Sequence, residues 1–135
     1  MKSAFVFPGQ GSQSVGMLAD LATDHTIVTE TFKEASDALD YDLWQLVSNG
    51  PDDQLNQTDR TQPAMLTAGI AVWRVWQSVS DIKPAYFAGH SLGEYTALVA
   101  ADALSFTDAV KLVEQRGQFM QQAVPAGEGA MAAIL

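Results

Sequence analysis

The stretch that decides the fold is Ala85-Tyr-Phe-Ala-Gly-His-Ser-Leu-Gly-Glu-Tyr-Thr-Ala-Leu-Val-Ala100. Ala85 to Ala88 is an apolar run after Lys83-Pro84 and reads as a strand. The alanine- and leucine-rich segment after Glu94 reads as a helix to about Ala101. Between them, Gly89-His-Ser-Leu-Gly93 fits Gly-x-Ser-x-Gly, the pattern of a nucleophile elbow. In such an elbow the chain turns sharply from strand to helix. The serine sits at the turn with its hydroxyl exposed, and the glycines let neighbouring backbone pass close by. Unpaired N–H groups and the positive end of the helix dipole lie behind it. Ser91 is therefore a candidate nucleophile, with the Leu92 N–H a natural oxyanion donor. The alternative is a plain strand-to-helix turn capped by Ser91.

Outward from the elbow the same alternation continues. Ala4 to Phe7 is an all-apolar run ended by Pro8-Gly9, the pattern of a buried strand in a parallel sheet. A glycine-rich loop, Gly9 to Gly16, follows it. Apolar residues then recur at helical spacing from Met17 to Leu39, with a break near Thr23-Asp24-His25. Asp42 to Val47 reads as a short helical turn, Asn49-Gly50-Pro51 as a break, and Leu55 to Gln62 as a loop or short helix. Pro63 suits the first turn of a helix over Ala64 to Val79, apolar almost all round and hence central. Ser105-Phe-Thr-Asp108 has the spacing of a capping box opening a helix to about Val124. Gly129 to Leu135 reads as a last strand. The order of elements is that of an α/β fold with parallel strands and flanking helices.

Composition bounds the function. The chain has 135 residues, 7 Lys and Arg against 16 Asp and Glu, and a formal charge of −9. That balance disfavours nucleic acid or an anionic membrane as the main partner. The absence of cysteine excludes disulfides, a Cys nucleophile and Cys-based zinc sites. With two histidines, His25 and His90, no protein-built metal site is expected. No apolar run approaches the roughly 20 residues of a membrane span, and the N-terminus lacks the apolar core of a signal peptide. A cytoplasmic location is expected.

Three further positions bear on chemistry. His90 adjoins Ser91, and adjacent residues at a sharp turn point apart, so it is a poor base. A packed histidine bonded to backbone is its plainer reading, and a pocket-lining role the alternative. His25 lies in a polar break and reads as exposed. Ser91 thus lacks a histidine base within this chain, and a serine needs one. Arg116 falls within the apolar set Ala109, Leu112, Val113, Phe119, Met120 and Ala123, on the stripe rather than the polar face. A guanidinium placed there needs an anion, either a protein carboxylate or a substrate. The loop Phe7-Pro-Gly-Gln-Gly-Ser-Gln13 completes neither a dinucleotide fingerprint nor a phosphate loop. It fits better as the source of a second backbone donor opposite the elbow.

Taken together, FVFPGQGSQ, TQPAML, GHSLGEYTALV and VKLVEQRGQFMQQAVPAGEGAMAAIL closely resemble the malonyl-CoA:acyl carrier protein transacylases of bacterial fatty-acid synthesis. The resemblance spans essentially the whole chain. It implies that residues 1–126 are the N-terminal part of an α/β-hydrolase-like acyltransferase large subdomain, a partial parallel-sheet core with flanking helices. Residues 127–135 would be the first strand of a ferredoxin-like small subdomain. It implies transfer of a malonyl group from coenzyme A to the phosphopantetheine thiol of acyl carrier protein, through a malonyl ester on Ser91. Backbone N–H groups of Gln10 and Leu92 would form the oxyanion hole. Arg116 would clamp the malonyl carboxylate, and Gln62 and His90 would line the pocket. Malonyl-CoA would be a substrate, with no bound cofactor.

Members of that family are more than twice as long, and their catalytic histidine lies beyond position 135. The resemblance therefore implies an N-terminal piece with nucleophile, oxyanion hole and clamp but no base, inactive or nearly so by itself. A monomeric parent is expected, and a piece that can self-associate. Two other classes compete: a polyketide-type acyltransferase or serine hydrolase, and a non-catalytic, self-associating fragment.

Overall fold

The computed structural model describes residues 2–125 and 127–130. The elements run β1 (Ala4–Phe7), α1 (Ala19–Asp24), α2 (Ile27–Leu39), α3 (Leu43–Asn49), α4 (Asp52–Leu55), α5 (Thr58–Val79), β2 (Tyr86–Gly89), α6 (Leu92–Ala100) and α7 (Phe106–Ala123). The two strands pair in parallel, with Ala4 beside Tyr86 and Phe7 beside Gly89. The α/β reading of the sequence holds.

Helix α5 is the axis of the molecule and packs against α2, α6 and α7. Its side chains from Thr61 to Ala68 are all buried, as are Ile70, Ala71, Trp73 and Val75. It starts at Thr58 rather than at Pro63. Pro63 has no N–H for the Asp59 carbonyl, a local loss in a helix interior. Burial outweighs it, because Thr61 and Gln62 are fully enclosed. The opposing helix also comes very close: a Cβ on Gly117 would lie 2.6 Å from Asp59 Cα and 2.8 Å from the Thr58 carbonyl oxygen. Arg74 ties three helices together. It donates to Glu34 at 2.7 Å and Thr31 at 3.1 Å on α2, and its guanidinium lies 4.8 Å from the ring centroid of Phe106 on α7.

The capping box of α7 forms in modified shape. The Ser105 hydroxyl accepts from the Asp108 N–H at 3.3 Å and donates to the Asp108 carboxylate at 2.6 Å. Asp42 caps α3 by accepting from the Gln45 N–H at 2.9 Å. The break between α1 and α2 falls at His25 and Thr26, next to the expected position.

The sheet differs from the sequence expectation. Phe5 and Phe87 meet Trp73 edge-on at 5.0 and 5.1 Å, so one face is covered by α5. Such pairs add roughly 0.5–1.5 kcal/mol each beyond the area they bury. The opposite face is open: Ala4, Val6, Tyr86 and Ala88 are exposed. An all-apolar strand run signals burial on both faces, but among the described residues helices cover only one. The strand expected over 129–135 falls mostly on residues 131–135, which lie outside the described residues. Gly127 and Glu128 form a turn. Among the described residues no helix is long and apolar enough to cross a membrane.

Candidate active site

The elbow is built from backbone contacts that only glycine permits. A Cβ on Gly89 would collide with the carbonyl group of Gly93, and one on Gly93 with the carbonyl of Phe7. Strand β2, the start of α6 and the end of β1 therefore touch backbone to backbone. The His90 N–H donates to the Phe7 carbonyl at 3.2 Å, and the Gly93 N–H to the His90 carbonyl at 2.9 Å. Held this way, Ser91 adopts φ 52° and ψ −110° at the N-terminus of α6. An L-residue in such a region costs on the order of 1–3 kcal/mol, which the surrounding contacts must impose. The strain leaves the hydroxyl exposed instead of capping its own helix.

The Ser91 hydroxyl meets Arg116 of α7. Arg116 Nη2 donates to Ser91 Oγ at 3.1 Å, and Nη1 donates to Gln62 Oε1 at 2.7 Å. The guanidinium also lies 5.5 Å from the ring centroid of Tyr95. Gln62 is fully buried, and its Nε2 donates to Met120 Sδ at 3.3 Å. One side of the guanidinium is thus held by a buried amide, and the other faces the hydroxyl. Among the described residues no carboxylate lies within ion-pair distance of Arg116. Of the two anions left open by the sequence, the protein carboxylate is not the one found.

Arg116 is half-buried, at the margin of the covered arc rather than in the middle of an apolar stripe. The buried positions of α7 are Phe106, Ala109, Val110, Val113 and Gly117. Leu112, Phe119 and Met120 are 42, 60 and 40% exposed, so the apolar set read from sequence merges a buried face with an open flank. Periodicity marks apolar positions, not what covers them.

His90 is exposed, and among the described residues its side chain makes no hydrogen bond. The packed, backbone-bonded histidine expected from sequence is not found. Its ring instead flanks Gly9, where a Cβ would lie 2.8 Å from the His90 carbonyl oxygen and 3.3 Å from its Nδ1. That contact sets the glycine-rich loop beside the elbow, as expected. Gln10 itself is exposed, and its side-chain amide donates to Thr58 Oγ1 at 3.2 Å. Among the described residues neither the Gln10 nor the Leu92 backbone N–H donates a hydrogen bond.

Sequence reasoning missed Tyr95, Met120 and Thr58. Tyr95 stands one helical turn after Ser91, a spacing that places both on one face of α6. No sequence signal marks Met120 as the acceptor for Gln62, since the pair is separated by 58 residues. A groove of about 780 Å³ is lined by Lys33, Asp37, Asp40, Tyr41 and Trp44 and includes none of Ser91, Arg116 and Gln62. Side-chain geometry, not cavity size, marks the candidate site. Among the described residues no three His, Asp or Glu side chains gather as metal ligands.

The arrangement offers a strained, exposed hydroxyl at a helix N-terminus and a fixed cation beside it, with the Gln10 and Leu92 N–H groups unpaired among the described residues. An acyl transferase domain model matches residues 4–135. The malonyl CoA-acyl carrier protein transacylase of Salmonella typhimurium is 64% identical over 132 residues, which are 98% of this chain and 43% of the relative. The crystal structure of an acyl carrier protein S-malonyltransferase from Vibrio cholerae superposes with a TM-score of 0.91 at 64% identity, covering 94% of this chain and 42% of that one. A malonyl-transacylase solved in complex with a type II PKS acyl-carrier protein gives a TM-score of 0.92 at 58% identity, covering 94% and 41%. The chain therefore spans less than half the length of the relatives it matches.

Proposed function

This chain belongs to the acyl transferase domain family, and on that premise we propose that the protein carrying it moves a malonyl group from coenzyme A to an acyl carrier protein. One observation carries the reading: the Arg116 guanidinium, anchored on buried Gln62, faces the Ser91 hydroxyl at 3.1 Å. An acyl group esterified to Ser91 and ending in a carboxylate would place that carboxylate against the guanidinium. The fork of an arginine suits a carboxylate bidentately. An acetyl group would leave the cation without its anion, a penalty on the wrong substrate.

The reaction has two halves. Ser91 Oγ attacks the thioester carbonyl and gives its proton to a general base. The developing oxyanion is taken by the N–H groups of Gln10 and Leu92. The C–S bond then breaks, coenzyme A leaves as the thiol, and malonyl-Ser91 remains. In the second half the phosphopantetheine thiol attacks the ester, and its proton returns to Ser91 by the same base. Among the described residues no histidine bonds Ser91, so the base is assigned to a histidine outside residues 1–135. Malonyl-CoA enters as substrate, and the serine route as written needs no bound cofactor. His90, exposed beside Gly9, is read as lining the mouth of the site. The carrier partner is supported by the similar malonyl-transacylase solved with its acyl-carrier protein. Such substrates place the reaction in the cytoplasm.

The deciding experiment uses protein expressed from its complete reading frame, incubated with malonyl-CoA and examined by intact mass spectrometry. A malonyl adduct is expected, and Ser91→Ala should abolish it. An adduct that persists removes Ser91 as nucleophile. Release of free malonate without a carrier would favour a hydrolase. Residues 1–135 alone should transfer little malonyl group, and turnover comparable to the longer relatives would overturn the external base.

The open sheet face favours one statement about residues 1–135 in isolation: they self-associate. Val6 is 74% and Tyr86 59% exposed on that face, and uncovered apolar faces promote association. Light scattering showing a clean monomer would exclude it.

A further inference from the structure

The glycine-rich loop beside the elbow is not held by packing at Gly11, where a Cβ at φ +107° would find no atom within 4 Å. It is held by side-chain amides. Gln13 Oε1 accepts from the Gly11 N–H at 2.8 Å, and Gln13 Nε2 donates to Asn56 Oδ1 at 2.7 Å. Asn56 Nδ2 in turn donates to Asp52 Oδ2 on α4 at 2.8 Å. The polarity of this chain is forced from both ends. A backbone N–H can only donate and an ionised carboxylate can only accept, so each amide between them has one orientation.

We propose that Gln13, oriented by Asn56 and Asp52, is a positioning residue that aims the Gln10 N–H at the reaction centre. The inference rests on the reading of Gln10 as an oxyanion donor. Gly9 abuts the His90 carbonyl on one side of the loop. On the other side, Gln10 Nε2 and Gln13 Nε2 both reach the α4–α5 link, at Thr58, the first residue of α5, and at Asn56. The loop is therefore clamped between the elbow and that link, with Gln10 between its two fixed neighbours. An oxyanion donor acts through its placement, and a displacement of about 1 Å can cost up to about a hundredfold in rate.

The test exploits the forced polarity. Gln13→Glu keeps an acceptor for Gly11 but sets a carboxylate against Asn56 Oδ1. Turning the Asn56 amide to meet it would set its oxygen against Asp52. Adding Asp52→Asn removes that conflict, because the turned Asn56 can then accept from the new amide at 52. Protein from the complete reading frame is assayed for single-turnover acylation of Ser91 across malonyl-CoA concentrations. Amide exchange at Gly11 is followed in parallel. Gln13→Ala and Gln13→Glu should slow acylation about tenfold or more at saturation, with half-saturation unchanged and Gly11 protection lost. Asp52→Asn alone should match the parent, and Gln13→Glu with Asp52→Asn should recover both rate and protection. A parent that acylates normally while the Gln13 variants keep its rate overturns the positioning role and leaves the proposed function intact. Failure of the double variant to recover also overturns it. A parent that forms no ester on Ser91 overturns the proposed function and this inference with it.

Discussion

Arg116 donates to the Ser91 hydroxyl at 3.1 Å across 25 residues of sequence, from the second helix after the elbow. The same guanidinium is held at 2.7 Å by Gln62. Hydroxyl, cation and anchor thus come from the turn that opens α6, from α7 and from α5. The site exists only while those helices keep their spacing.

Removing the cation should change which acyl group is taken. Charge-assisted hydrogen bonds are worth about 1.5–3 kcal/mol. Arg116→Ala should therefore lower malonylation of Ser91 by roughly ten- to a hundredfold relative to acetylation. Parallel acylation assays with malonyl- and acetyl-CoA measure the ratio, and an unchanged ratio would count against the clamp.

The spacing of α5 and α7 can be tested without touching the site. A methyl group at Gly117 would press on Asp59 Cα and the Thr58 carbonyl, both backbone atoms that cannot rotate away. Gly117→Ala should destabilise the fold by about 1–3 kcal/mol and weaken the Arg116–Gln62 bond. Denaturant melts report the first effect, and the malonyl-to-acetyl ratio the second.

Backbone strain at Ser91 yields a prediction in the opposite direction. At φ 52° and ψ −110°, glycine is more comfortable than any L-residue. Ser91→Gly should raise stability by about 1 kcal/mol while abolishing the ester, and Ser91→Ala should abolish the ester with no such gain. Equal melting temperatures for the two variants would contradict the strain.

Glu114 yields a pH dependence. Burial pushes its carboxyl above the usual carboxylate range, and Arg60 at 3.7 Å opposes that only in part. A carboxyl whose folded pKa is raised favours the protonated form in the fold. Its contribution is therefore unfavourable above the folded pKa and vanishes below the unfolded value. Glu114→Gln should hold or raise the melting temperature at pH 7, and the difference should fade as pH falls below about 4. Thermal melts at the two pH values check the sign. Clear destabilisation at pH 7 alone would show that the pairing with Arg60 dominates.

Much of this protein is legible in the order of its residues. Short-range chemistry writes itself into sequence, and the elbow is the clearest case. Gly89, Ser91 and Gly93 are close in the chain, and their steric requirement is met by adjacent backbone. The strands, the Ser105 cap and the centrality of α5 are local in the same sense, set by periodicity and turn chemistry. Arg116 could be singled out because a cation among apolar neighbours is anomalous wherever the helix packs.

What surrounds those elements depended on tertiary structure. The start of α5 at Thr58 overrides the local signal of Pro63, because burial of Thr61 and Gln62 and the close approach of Gly117 come from α7. The open sheet face was hidden because an apolar strand reads the same whether one side or both are covered. Whether Arg116 meets a protein carboxylate or keeps its charge for a ligand was undecidable from spacing. That depends on Gln62, 54 residues away, and side-chain partners at such separations leave no periodic trace. The Gln13–Asn56–Asp52 chain is of the same kind. Sequence alone singled out the candidate nucleophile, Ser91, and the backbone turn that presents it. Only the packing of α5, α6 and α7 decided what that nucleophile faces.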